Sequence, residues 1–127
     1  MRRLAVDATG LGEAVASFLS RSLGSSRVEA VKLTAERKSQ IGYRLLTAVN
    51  SGRLHLYVSD GSLEWRECWR QVDLARVAYR ANRTLNFFVD PREGYDDYLI
   101  SLALVVVAAA EAAPRRARGR QRGEFDV

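Results

Sequence analysis

The sequence predicts an α/β domain, and three observations carry that reading. An apolar strand, a helix and a second strand follow one another between residues 4 and 33; two strand-like runs flank the turn Ala81-Asn82-Arg83; and a strongly apolar helix follows the paired Asp96-Asp97. A strand–helix–strand unit crosses over right-handed and makes its strands parallel. At 127 residues the chain is long enough for one packed core and too short for two. The expected division is a folded domain over 1–113 and a basic, disordered tail over 114–127.

Leu4-Ala5-Val6 is the first strand, ending at Asp7, and Thr9-Gly10-Leu11-Gly12 makes the turn. The helix that follows carries Ala14, Val15, Phe18, Leu19 and Leu23 on one stripe, and Gly24-Ser25-Ser26 ends it. Val28–Leu33 is the second strand. Thr34 is placed to cap a helix running to about Asn50, with Ile41, Leu45, Ala48 and Val49 inward. Leu54–Val58 alternates as a further strand would, before the turn Ser59-Asp60-Gly61-Ser62. A short helix then sets Trp65, Cys68, Trp69 and Val72 at helical spacing. Arg76–Tyr79 and Thr84–Val89 form the hairpin, with Leu85, Phe87 and Val89 sharing a face. Asp96 suits an N-cap for the last helix, which Pro114 terminates.

Composition excludes several chemistries. A single cysteine, Cys68, rules out an internal disulfide, and one histidine, His55, rules out a histidine-rich metal centre. Thr9-Gly10-Leu11-Gly12 lacks the Gly-Lys-Ser/Thr of a nucleotide-binding P-loop and the third glycine of a dinucleotide fingerprint. Residues 99–113 fall short of a membrane span and include Ser101 and Glu111. No secretory signal follows Met1-Arg2-Arg3, so a cytoplasmic location is expected. Net charge is +5, and Arg115, Arg116, Arg118, Arg120 and Arg122 stand in the tail against Glu124 and Asp126. Such a tail suits non-specific contact with nucleic-acid phosphates; a purely solubilising end has the same composition.

The acidic segments point to chemistry. Asp7 closes a strand ahead of a glycine-rich turn, where α/β proteins commonly build their sites. Asp96 and Asp97 stand at the start of the most apolar helix, and adjacent helical residues point about 100° apart, so one of the pair reaches a given ion. Hard carboxylate oxygens from two distant segments can hold Mg²⁺ or Mn²⁺ against a phosphate. Each aspartate equally has a capping role open to it. Lys38 sits near a helix start, where the dipole disfavours a cation, which suits a residue kept to grip phosphate.

Taken in order, these segments resemble the C-terminal nuclease domain of phage terminase large subunits, a ribonuclease H-like fold. The resemblance rests on Val6–Gly12, on Val31–Lys38 with the helix ending Asn50-Ser51-Gly52, and on Gly94-Tyr95-Asp96-Asp97 leading into the apolar helix. It implies a two-metal endonuclease acting on double-stranded DNA in genome packaging. Asp7 and Asp97 (or Asp96) would be catalytic, with Asp7 and Asp97 as metal ligands, and Lys38, Arg115, Arg116 and Arg118 would contact DNA. Tyr95 stands where the family often has histidine. The family carries its first aspartate on a hairpin ahead of the strand matched here, and only six residues precede Asp7. The expectation is therefore a core truncated at its N-terminus, either inactive or completed by another chain. The exposed strand edge this leaves would pair with a second copy or a partner. The alternative is a non-catalytic DNA-binding or assembly module of the same fold.

Overall fold

A computed structural model describes residues 2–110. It contains, in order, β1 (Leu4–Asp7), α1 (Gly12–Leu23), β2 (Val28–Val31), α2 (Ala35–Asn50), α3 (Leu63–Leu74), β3 (Arg76–Tyr79), β4 (Leu85–Phe88) and α4 (Asp97–Ala110). This is a small mixed α/β domain. The strands form two separate pairs: β1 with β2, parallel, and β3 with β4, antiparallel. Arg115, Arg116 and Arg118, and the expected end of the last helix at Pro114, lie outside the described residues. Among the described residues, no helix is long and apolar enough to cross a membrane.

The crossover unit forms as its sequence dictates. Leu4 pairs with Val28 and Asp7 with Val31, and α1 bridges the two strands. The Leu4 N–H donates to Arg27 O at 2.8 Å and the Ala8 N–H to Val31 O at 2.8 Å, so alternate backbone groups of β1 face β2. The groups of Ala5 and Asp7 turn to the opposite edge. Among the described residues no strand pairs there.

Helix α2 is capped as expected, Thr34 Oγ1 accepting from the Arg37 N–H at 3.2 Å. Ser62 does the same for α3, accepting from the Trp65 N–H at 3.1 Å. Burial on α2 follows the 3.6-residue period through Ile41 and Leu45, while Val49 is exposed at its far end. Gly42 lies against β4, where a Cβ would stand 2.8 Å from Phe87 Cδ1. The absence of a side chain lets α2 and the hairpin close on each other.

The core is built by α2, β4 and α4, with Val31 from the parallel pair. Ile41, Leu85, Phe87, Val89, Leu99, Ala103 and Val107 are buried together. The alternation of Leu85, Phe87 and Val89 is thus the inward face of the hairpin. Burial of each large side chain contributes about 1.5–3 kcal/mol, which makes this cluster the main stabilising element.

Three expectations change. On α1, Val15 and Phe18 are exposed, and Ala16 is the residue buried against the strands. A two-stranded layer is too narrow to cover a full helical stripe. Residues 54–58 form no strand and pair with neither two-stranded sheet. The segment is tied down instead by the Leu54 N–H on Ala48 O and by Trp65 Nε1 on Tyr57 O. Trp65 and Trp69 stack with centroids 5.9 Å apart and remain partly exposed, Trp69 at 38%.

The third change concerns the cap of α4. Gln71 of α3, buried to 1% exposure, accepts at Oε1 from the N–H groups of Tyr98 (2.8 Å) and Leu99 (3.2 Å). Its Nε2 donates to Glu67 at 3.1 Å. Gln71, and not Asp96, therefore satisfies the first turn of α4. Gln71→Leu leaves two buried donors without an acceptor and is expected to cost about 1–3 kcal/mol. A urea titration checks this, and an unchanged midpoint would show that the bond contributes nothing.

Candidate functional site

Asp7, Asp96, Asp97 and Lys38 line one open cleft of about 470 Å³, together with Leu33, Ile100, Ser101 and Leu104. They come from three places in the chain: the end of β1, the first turn of α2 and the head of α4. By strand alternation Ala5 and Asp7 share a face of β1, and Ala5 packs on the core that contains α4. That places the Asp7 carboxylate beside the N-terminus of α4.

The turn after β1 fixes Asp7. Its Oδ1 accepts from the Thr9 N–H at 2.9 Å, closing an Asx-turn. Thr9 Oγ1 in turn accepts from the Leu33 N–H at 3.0 Å, which clips the turn to the end of β2. Gly10 adopts φ 56°, a left-handed conformation glycine takes without strain. Gly12 lies so close that any side chain there would collide with the Asp7 carbonyl oxygen. Asp7 does not cap α1, whose N-terminus carries no side-chain cap bond. One carboxylate oxygen holds the turn, and the other makes no hydrogen bond or ion pair with the described residues.

The aspartates of α4 are similarly unspent. The Asp96 carbonyl accepts from the Ile100 N–H at 2.9 Å, but Gln71 does the side-chain capping. Neither carboxylate has a hydrogen-bond or ion-pair partner among the described residues. Both stand at the helix N-terminus, where the peptide dipoles favour negative charge. Asp96 is half-buried and Asp97 exposed.

Lys38 closes the cleft from α2. Its Nζ lies 5.1 Å from the centroid of the Phe87 ring, a cation–π placement, and the side chain is half-buried. Burial lowers the pKa of its ammonium; Asp96 opposes that shift, and Arg80 adds to it. The cleft thus combines three carboxylates, that of Asp7 with one oxygen engaged in the turn, with one cation held partly out of water.

Compared with protein-family models, curated proteins and solved structures, the chain matches none. The site is therefore read from its own geometry. The three aspartates and Lys38 singled out in the sequence converge in one cleft. Two residues that matter there carry no sequence signal of their own. Gln71 acts across 27 positions, and Ser101 enters the cleft one helical turn beyond Asp97.

Two consequences are measurable. Gly12→Ala displaces the Asp7 carbonyl and should cost about 1–3 kcal/mol as an overpacking substitution. Thermal unfolding checks it, and a variant as stable as the parent would show that the turn accommodates a methyl group. Because the Lys38 pKa is lower in the folded chain than its ordinary 10.5, the unfolded chain binds more protons between the two values. Its contribution to stability therefore rises with pH across that interval and is least favourable below it. Lys38→Met keeps the packing and removes the charge. The variant should be more stable than the parent at pH 7, by a margin that narrows as pH rises toward 10. A constant margin would mean that titration of Lys38 is not its source.

Proposed function

We propose that this chain is a terminase-like domain with a ribonuclease H-like core that acts on double-stranded DNA, as a divalent-metal-dependent endonuclease completed by another chain. The observation that carries this reading is the convergence of Asp7, Asp97 and Lys38 on one cleft from three separate elements. The parallel β1–α1–β2 unit, with helices packed beside it, supports the fold assignment.

The donors fit a hard cation. Mg²⁺ is commonly held by one or two carboxylates, with water and substrate phosphate filling its other positions. The free oxygen of Asp7 and the carboxylate of Asp97 would hold Mg²⁺ or Mn²⁺, with Asp96 beside them. A bound ion of this kind lowers the pKa of water and offsets charge on a phosphate. The protein's own groups do the rest. Lys38 presents a cation to a phosphodiester oxygen, its attraction strengthened by partial burial. The Asx-turn fixes the Asp7 carboxylate, and Gln71 fixes the head of α4, so neither needs reordering when a substrate enters.

Among the described residues no group of three His, Cys, Asp or Glu is arranged to hold a metal. A two-ion site therefore requires a further carboxylate. The unpaired edge of β1, with the backbone groups of Ala5 and Asp7 turned outward, is where a strand from a second copy or a partner would bring one. The arginine-rich segment with Arg115, Arg116 and Arg118 would add phosphate contacts.

The missing third ligand favours a second reading, a non-catalytic DNA-binding or assembly module of the same fold. One assay separates the two. Purified protein is incubated with linear duplex DNA and Mn²⁺, alongside Asp7→Asn and Asp97→Asn. The nuclease reading expects cleavage that falls at least 100-fold in either variant. Cleavage indifferent to both substitutions would remove the site assignment. Salt-sensitive binding without cleavage would leave the second reading in place.

A further inference from the structure

Among the described residues, some cations of this domain are neutralised by carboxylates and others are not. Arg37, Arg70, Arg76 and Arg92 each ion-pair with a carboxylate. Lys38, Arg80 and Arg83 make no ion pair with the described residues, as is true also of Arg21, Arg27, Arg44, Arg53 and Arg66, but Arg80 stands near enough to Lys38 to lower its pKa. Arg80 and Arg83 flank the turn between β3 and β4. That turn is closed by the Arg80 N–H on Thr84 O and the Arg83 N–H on Arg80 O, both at 2.9 Å. It is pinned to α2 beside Lys38. The Tyr43 hydroxyl donates to Arg83 O at 2.9 Å, and the Leu85 N–H donates to Ser39 Oγ at 2.9 Å. Two residues further along β4, Phe87 lies under the Lys38 ammonium. The hairpin turn is thus held beside the stretch of α2 that carries Lys38.

The backbone of Arg83 gives an independent reason to look here. With φ 64°, Arg83 is the one non-glycine among the described residues in the left-handed region. A side chain there is strained, and a hairpin turn of this kind ordinarily places Gly or Asn at such a position. Every other described residue with positive φ is a glycine. The turn therefore carries an arginine at a position where glycine would be less strained, next to a second arginine that makes no ion pair with the described residues.

We propose that the turn Arg80–Arg83 is a phosphate-gripping element, Arg80 and Arg83 extending the contact begun by Lys38 along the backbone of a DNA duplex. This rests on the reading that the cleft acts on DNA, and it adds where the duplex runs: from the Asp7–Asp97 cleft, past Lys38, over the tip of the hairpin. Both arginines contact phosphate oxygens and read no base.

The test uses the full chain and a labelled duplex of random sequence, with anisotropy recorded between 20 and 300 mM salt, salt concentrations on the order of those over which binding to phosphates is weakened. Arg80→Ala/Arg83→Gly should weaken binding at least tenfold at low salt. It should also reduce the slope of log K against log salt by about 2, one for each phosphate that the variant no longer neutralises. Thermal unfolding of Arg83→Gly alone should show a midpoint at or above that of the parent, because glycine accepts the left-handed backbone. Arg21→Ala, which removes an exposed cation from α1 and leaves the turn intact, should keep the parent's slope. Parental binding with a slope unchanged in the double variant overturns the hairpin assignment and leaves the DNA reading standing. A fall in affinity matched by a lower unfolding midpoint in Arg83→Gly also overturns it, since the arginine would then be structural. Absence of duplex binding by the parent at the lowest salt overturns both.

Discussion

The arrangement of the domain depends on how α4 begins. This helix is apolar nearly throughout, and it supplies Leu99, Ala103, Leu104 and Val107 to the core. Its first N–H groups enter that core and need acceptors, because a buried donor without one costs about as much as several methylene groups gain. Gln71 supplies the acceptor from α3. The bond fixes α3 against the head of α4 and sets where the aspartates stand. It also frees them: carboxylates that would otherwise be consumed as caps face the cleft instead. Structure and candidate chemistry are coupled through one buried amide.

The same economy operates around Asp7. A sharp turn after a strand needs its backbone groups satisfied, and Asp7, Thr9 and Gly12 accomplish that within a few residues. The Asx-turn uses one carboxylate oxygen and leaves the other. A residue that only capped or only turned would leave no reason for Lys38 to stay half-buried nearby. The partial burial of that ammonium is unfavourable in isolation, as the downward shift of its pKa shows. It is offset by the Phe87 ring and by the field of Asp96, and it would be offset further by a phosphate.

What the sequence made legible was local. Thr34 and its helix, the crossover unit and the hairpin with Leu85, Phe87 and Val89 inward all rest on neighbours within a few residues. Asp7, Asp97 and Lys38 could be singled out in the sequence because each stands at or near the edge of an element; what brings them together is the packing of α2 and α4 around β1 and β2, which is not local. The Gln71 cap was not, since an amide at one helix position carries no mark of a donor 27 residues away. The outward turn of Val15 and Phe18 was missed for a related reason. Periodicity reports that a face is apolar, and only the width of the layer beneath decides how much of it is covered. Residues 54–58 alternate as a strand does, but alternation does not by itself supply the backbone pairing, and the segment joins neither sheet.

Charge then separates the roles of the surface. Where arginines meet carboxylates, as Arg76 does with Glu93 and Arg37 with Glu29, the pairs are exposed or half-exposed and contribute little to stability. Their effect is to neutralise those faces. The cleft keeps its charges out of ion pairs with the described residues: three aspartates, with Lys38 on its wall. On the proposed reading, a divalent ion would satisfy the carboxylates while Lys38 meets a phosphate. The fold brings the carboxylates and the Lys38 ammonium, from three separate elements, into one cleft.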